Sequence, residues 1–431
     1  MTRSSSLRVA LVVPDYRFPW NDDRQFQIES LRAQCRGGEI ELAVFPEGYA
    51  EGGSADDVES LAEDLGVAVL VGLTHKDGFQ LAAYRNPRAA PGETVTHLYV
   101  KHSTAERLAY DWPGYAGPSD PMFDPVVLHG QRIGVLICHD MFFGLPAQLE
   151  RARGATMFVD ISGGDVNEAK WTNVVRGRSV ELGVPFLCTM ARRGDAGKAL
   201  ALAYKGLHRY IPHHDSTGVA SRGGFAVIAI GAGTLAPAEV DQQAYTDKVY
   251  ADITIALATD ADADVSIALS NGTIGVVSNR LPCRRRNGWT EVTSRAGRIG
   301  VLPVAIAQID DGTLLHRRDL GADAFDHQII VYAGERSKRS ALELLALAKL
   351  RAIEHRVAVV LLTDAIREVI KTNRYKNIQR FVEHGGVFGL NAEFLGGLWS
   401  TASAKPTMGV PRDQFAKYRA LLLAPESRPR A

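Results

Sequence analysis

Cysteine is scarce and scattered. Cys35, Cys138, Cys188 and Cys283 are the four in 431 residues, and no two form a CxxC pair. That excludes a zinc-finger ligand set and a disulfide framework, and it fits a reducing compartment. Net charge is also missing: 49 Lys and Arg balance 49 Asp and Glu. Neither nucleic acid nor an anionic membrane is therefore expected as a partner. No apolar run is long enough to span a bilayer. The start, Met1 to Ser6, is short and polar and runs straight into a strand, so no secretory leader is expected. No internal repeat or low-complexity tract stands out. The expectation is a cytoplasmic protein away from the membrane.

What remains is ordinary globular composition, 46% hydrophobic and 23% charged, at a length suited to two or three domains. Continuous apolar runs predict strands at Leu7–Pro14, Ile40–Phe45, Val67–Leu73, Ile133–Ile137, Ala155–Ile161, Pro185–Ala191, Ser221–Ile230 and Lys248–Ile255. Phe79–Arg85 and Thr94–Val100 read as a strand pair. Helical spacing over Asp22–Cys35, Asp56–Leu65, Gly144–Arg153 and Ala169–Leu182 fills the intervals. Strands buried on both faces and alternating with helices predict an α/β fold.

The acidic block Asp260–Asp264 marks a boundary, giving a first domain over 1–260. Beyond it, strands at Gly300–Ile309, Gln328–Ala333 and Val357–Leu362 alternate with helices at Ser337–His355 and Ala365–His384. This predicts a smaller α/β accessory domain over 261–403, packed on the first, and a polar tail over 404–431. Gln328–Ala333, its following helix and Val357–Leu362 form a βαβ unit, so those two strands should be parallel.

Three apolar runs end directly on reactive side chains: Glu47 after IELAVFP, Lys101 after HLYV, and Cys138 after IGVLI. Each has a plain alternative: a helix cap, a solvated strand end, a core thiol. Together they match an activated nucleophile, in which a base takes the thiol proton and a cation holds the developing oxyanion. A helix N-terminus close behind Cys138 would favour thiolate over thiol. The His-containing stretch Asp195–His214 has no standard metal-ligand spacing, and no metal or cofactor is expected.

The motifs Phe45-Pro46-Glu47, Tyr99-Val100-Lys101-His102 and Gly134-Val135-Leu136-Ile137-Cys138-His139-Asp140 make the chain resemble the nitrilase superfamily of carbon–nitrogen hydrolases over about residues 7–257. Arg176-Gly177-Arg178-Ser179-Val180-Glu181 also sits where that family has similar residues. The resemblance implies an αββα sandwich and a small-molecule amide or nitrile substrate. It implies Glu47 as base, Lys101 as oxyanion stabiliser and Cys138 as nucleophile. A second acid after the lysine falls to Glu106, with Asp111 as competitor. His139, Asp111, Ser162 and Trp171 are placed around the substrate. Self-association into a homo-oligomer is expected through Gly144–Arg153 and Ala169–Leu182, whose Leu145, Leu149, Trp171 and Val175 cannot all face one core. Two rival readings are a glutaminase-like domain feeding ammonia to its C-terminal neighbour, and a non-catalytic effector that keeps the fold for assembly.

Overall fold

The computed structural model describes residues 6–15, 20–51, 54–75, 78–103, 115–163, 168–191, 200–217, 223–238, 251–257, 265–270, 273–278, 281–286, 289–294, 297–310, 327–334, 338–355, 358–363, 386–388, 394–397 and 407–411. The chain divides into two compact units, Met1–Glu239 and Val240–Ala431.

The first unit runs β1 (Leu7–Pro14), α1 (Trp20–Arg36), β2 (Leu42–Val44), β3 (Ala50–Glu51), α2 (Ala55–Leu65), β4 (Ala68–Thr74), β5 (Gln80–Arg85), β6 (Thr96–Val100), β7 (Val126–Leu128) and β8 (Gln131–Ile137). It continues through α3 (Gly144–Ala152), β9 (Met157–Ser162), α4 (Glu168–Leu182), β10 (Pro185–Met190), β11 (Leu200–Lys205), β12 (His208–Arg209), β13 (His214–Asp215) and β14 (Gly223–Ile230). One sheet has the order β13-β14-β1-β2-β4-β5-β6, with β3 on β4, and the other β12-β11-β10-β9-β8-β7. The sheets face each other through β1 against β10 and β5 against β8, and the Thr189 hydroxyl donates across to the Val12 carbonyl. Helices α1 and α2 cover one outer face, and α3 and α4 the other. This is the expected nitrilase-like αββα sandwich.

The local reasons are ordinary. In β1 every residue except Arg8 is buried, because a central strand between a second sheet and a helix layer has no wet face. Helix α2 is held at both ends: Ser54 and Asp57 form a reciprocal capping box, and Gly66 closes it at φ 69°. Its Val58, Leu61, Ala62 and Leu65 point inward. In α4, Arg178 is wholly buried; its Nε donates to the Met141 carbonyl at 2.7 Å and its Nη1 pairs with Glu181. Replacing Arg178 by Met would leave the Glu181 carboxylate buried without a cation. We expect about 3–5 kcal/mol of destabilisation, read by chemical denaturation. Trp171 and Val175 are buried within the chain, and Leu145 and Leu149 are only partly exposed. The apolar surface expected on α3 and α4 is thus smaller than the sequence suggested, because α4 turns both residues inward.

The second unit contains β15 (Ala251–Leu257), β16 (Val265–Ser270), β17 (Thr273–Ser278), β18 (Cys283–Arg286), β19 (Trp289–Ser294), β20 (Gly297–Ala305), β21 (His327–Gly334), α5 (Ala341–His355), β22 (Ala358–Thr363), β23 (Gly386–Phe388), β24 (Phe394–Gly397) and β25 (Thr407–Pro411). Its sheets are β17-β16-β15-β25 and β18-β19-β20-β21-β22-β23-β24. Strands β21 and β22, joined through α5, are parallel as expected. Lys248–Ile255, read as a strand of the first domain, falls largely in β15, which pairs with β16 and β25 in the second unit. Within the polar tail, Thr407–Pro411 is the antiparallel partner of β15. The predicted helix Ala365–His384 lies outside the described residues.

Candidate active site

Glu47 follows β2 on a segment pressed against the neighbouring strand. The Phe45 N–H donates to the Leu70 carbonyl at 2.8 Å. At Gly72 in β4, a Cβ would lie 2.3 Å from the Pro46 carbonyl oxygen and 2.5 Å from the Glu47 Cα. Only glycine admits that approach, so Gly72 sets how deep Glu47 sits. Lys101 comes directly after β6, its N–H bonded to the Gln80 carbonyl at 2.9 Å. Its Nζ donates to Glu47 Oε1 at 2.6 Å, and both side chains are largely buried.

Cys138 ends β8. The next residues form a tight turn over Cys138–Phe142 before α3 begins at Gly144. Its φ is 53°; His129 is the one other non-glycine residue with positive φ among those described. Such backbone is unfavourable for a residue with a β-carbon, and strained positions of this kind cluster at functional sites. The thiol is 3.3 Å from His139 Nδ1 and 4.0 Å from the Gly163 carbonyl.

Burial works against the thiolate that a nearby helix N-terminus would favour. Burial drives the Cys138 thiol upward, and the Glu47 carboxylate pushes the same way, while Lys101 opposes them. The intervening turn sets the α3 N-terminus away from the sulfur, and a helix dipole fades beyond its first turn. Burial pulls the Lys101 ammonium down, but the charges of Cys138 and Glu47 outweigh it and hold it above the ordinary lysine range. The thiol and the ammonium are thus coupled: Lys101 favours the thiolate that burial and Glu47 oppose.

Two acids that the sequence reading left without a role support this arrangement. Asp140 is fully buried and accepts from the Tyr99 hydroxyl at 3.0 Å, the His102 N–H at 3.1 Å and the Ser103 side chain. Tyr99 and His102 bracket Lys101, so Asp140 ties the lysine strand end to the cysteine turn. Burial, offset in part by those donors and by Lys101, pushes its carboxyl up to about 6. Asp160 is also fully buried, and burial raises it well above the carboxylate range. It accepts from the Ser162 hydroxyl and from Cys188 Sγ at 3.4 Å. Asp140 was legible as a polar residue two places after the cysteine. Gly72 carried no such signal. Removing the Asp140 carboxylate by Asp140→Ala frees the Lys101 segment; since a 1 Å misplacement can lower rate about 100-fold, we expect a kcat loss of that order with KM less affected, measured by steady-state kinetics.

Of the other residues assigned from sequence, His139 stacks on Phe142 at 5.0 Å and meets Trp171 edge-on at 5.7 Å. Ser162 is fully buried and its hydroxyl is engaged by Asp160 and by Trp171 Nε1 at 3.2 Å. The polar atoms of Ser162 and Trp171 are thus turned to one another, which gives them a supporting place beneath His139 rather than free groups for a ligand. Glu106 and Asp111 lie outside the described residues. Among the described residues no cluster of three or more His, Cys, Asp or Glu is arranged to hold a metal ion.

Residues 33–246 match the family model described as carbon-nitrogen hydrolase. This part of the chain is a carbon–nitrogen hydrolase domain. The superfamily expectation from the Glu, Lys and Cys motifs is thereby met. Among solved structures, a carbon–nitrogen hydrolase from Helicobacter pylori is 13% identical, covering 52% of this chain and 89% of its own, with a TM-score of 0.40. An amidase from Nesterenkonia sp. is 18% identical, covering 53% of this chain and 91% of its own, at 0.39. A mutant of that amidase in complex with butyramide is 18% identical, with coverage of 53% and 93% and a TM-score of 0.39. No curated protein matches. Among the described residues, no helix is long and apolar enough to cross a membrane.

Proposed function

We propose that the carbon–nitrogen hydrolase domain is a thiol-dependent amidase. The observation that carries the reading is the Lys101–Glu47 contact at 2.6 Å beside a thiol that feels both charges. Glu47 takes the Cys138 proton as the sulfur attacks the amide carbonyl carbon. The oxyanion of the tetrahedral adduct is held by the Lys101 ammonium and the His139 backbone N–H. Glu47 returns the proton to the leaving nitrogen, the C–N bond breaks, and ammonia or an amine departs from a thioester. Glu47 then deprotonates a water, which attacks the thioester; the acid leaves and the thiol is reprotonated. One carboxyl thus serves as base and acid in both halves. Each step draws on protein groups and water alone.

The deciding experiment is intact-mass analysis of the full chain after incubation with a panel of small amides and nitriles. The expected result is an acyl adduct that maps to Cys138 and disappears with time as acid is released. An adduct formed only with nitriles would make the enzyme a nitrilase. No adduct on Cys138 with any member of the panel would remove the reading.

A further inference from the structure

The second unit repeats the first. In the first unit, β7 and β8 are antiparallel, β8, β9 and β10 run parallel, and β10 and β11 are antiparallel. In the second, β19 and β20 are antiparallel, β20, β21 and β22 run parallel, and β22 and β23 are antiparallel. The other sheet of each unit corresponds too. Strand β25 lies antiparallel to β15 as β14 does to β1, and β15 pairs with a parallel neighbour as β1 does.

Side chains repeat as well. Arg132-Ile133-Gly134-Val135-Leu136 in β8 recurs letter for letter as Arg298-Ile299-Gly300-Val301-Leu302 in β20. Helices α4 and α5 each have 15 residues. At the same position of each stands a wholly buried arginine, Arg178 or Arg351, paired three residues on with Glu181 or Glu354. Arg178 Nε reaches the Met141 carbonyl in the turn after β8. Arg351 Nε reaches the Ile309 carbonyl, 2.9 Å away, at the end of the turn after β20. A buried ion pair tied in each unit to a carbonyl of the turn after the matching strand, though not to the same residue of that turn, is a feature that two unrelated helices do not need, since apolar packing would serve stability as well.

The catalytic parts do not recur. Alignment on the shared pentapeptide puts Val304 where Cys138 stands. Strand β8 stops before Cys138, which takes a positive φ; β20 runs on through Val304, which does not. A β-branched residue is poorly suited to that backbone. Glu47 lies three residues beyond the end of β2, the parallel neighbour of β1, whereas Thr273, already in β17, lies three beyond the end of β16, the parallel neighbour of β15.

We infer that the second unit is a degenerate, non-catalytic copy of the hydrolase fold. The repeat corrects the sequence reading, which saw none. Its catalytic half rests on the amidase proposal, and it bears on the ammonia-transfer rival. A copy of the hydrolase sheets is not a synthetase unit of different chemistry waiting for ammonia.

Two measurements on the full chain test it. In a Cys138→Ala background, Val304→Cys is added and alkylation by iodoacetamide is followed by peptide mass. The introduced thiol should label no faster than buried Cys35, and amide turnover should stay lost. Labelling as fast as Cys138 in the unaltered protein, or recovered turnover, would overturn the non-catalytic assignment. In the second, Glu354→Ala should abolish hydrogen-exchange protection over residues 297–363, as Glu181→Ala should over 126–205, with Glu354→Gln restoring part of it. Unchanged protection over 297–363 would show that the matched ion pair is coincidental. The labelling and exchange readouts need no known substrate. If the amide panel leaves Cys138 untouched while both results hold, the amidase reading fails and the copy stands.

Discussion

Cys138→Ala is expected to abolish hydrolysis while the protein stays folded. Loss of the nucleophile from an acting set of groups lowers kcat by about 10⁶-fold in a comparable hydrolase, which would put turnover below detection in an ammonia-release assay. The fold should tolerate the change. The alanine keeps a β-carbon at the φ of 53° and removes only a sulfur that is 3% exposed. A thermal melt within a few degrees of the unaltered protein, together with lost activity, is the expected pair of results. Near-normal turnover in this variant would remove the whole mechanism, because no other thiol sits with Glu47 and Lys101 among the described residues.

Glu47→Gln should move two readouts of the same cysteine in opposite directions. Turnover should fall by about 10²–10⁴-fold, the usual contribution of a positioned general base. Alkylation of Cys138 by iodoacetamide near neutral pH should become faster. The reason lies in the resting electrostatics: burial first, then the Glu47 carboxylate, favour the protonated thiol, and Lys101 is the group that opposes them. Removing the carboxylate leaves the ammonium unopposed at close range, so the thiol pKa drops and the thiolate fraction rises. In the unaltered protein the alkylation rate should keep rising with pH above neutrality. In Glu47→Gln that rise should begin at lower pH. If the rate–pH profile does not shift, the carboxylate is not the group holding the proton on sulfur, and Glu47 would have to be reassigned.

The strand ends that carry Glu47, Lys101 and Cys138 were legible because the information is local. A strand covered on both faces demands an uninterrupted apolar run, and a reactive side chain at its end interrupts the run at a definite residue. The same logic made β21, α5 and β22 readable as a parallel unit. The tertiary structure alone decided what those residues meet. Glu47 and Lys101 pair across 54 residues of sequence. Asp140 is drawn to Tyr99 and His102, and Glu47 takes its depth from a glycine on another strand. The protonation of Cys138 was not legible in the sequence because it is a sum of burial and neighbouring charges, neither of which exists until the chain has closed around it. The strand at Ala251–Leu257 was read as a strand but given to the first domain for a related reason: an apolar run announces a strand but not its partner, and pairing here joins segments far apart in the chain. The repeat of RIGVL stayed hidden because five apolar-rich residues suit many buried strands. It gained meaning only once β8 and β20 were seen to hold corresponding places in two sheets, each answered by a buried arginine from the helix that joins the next two parallel strands.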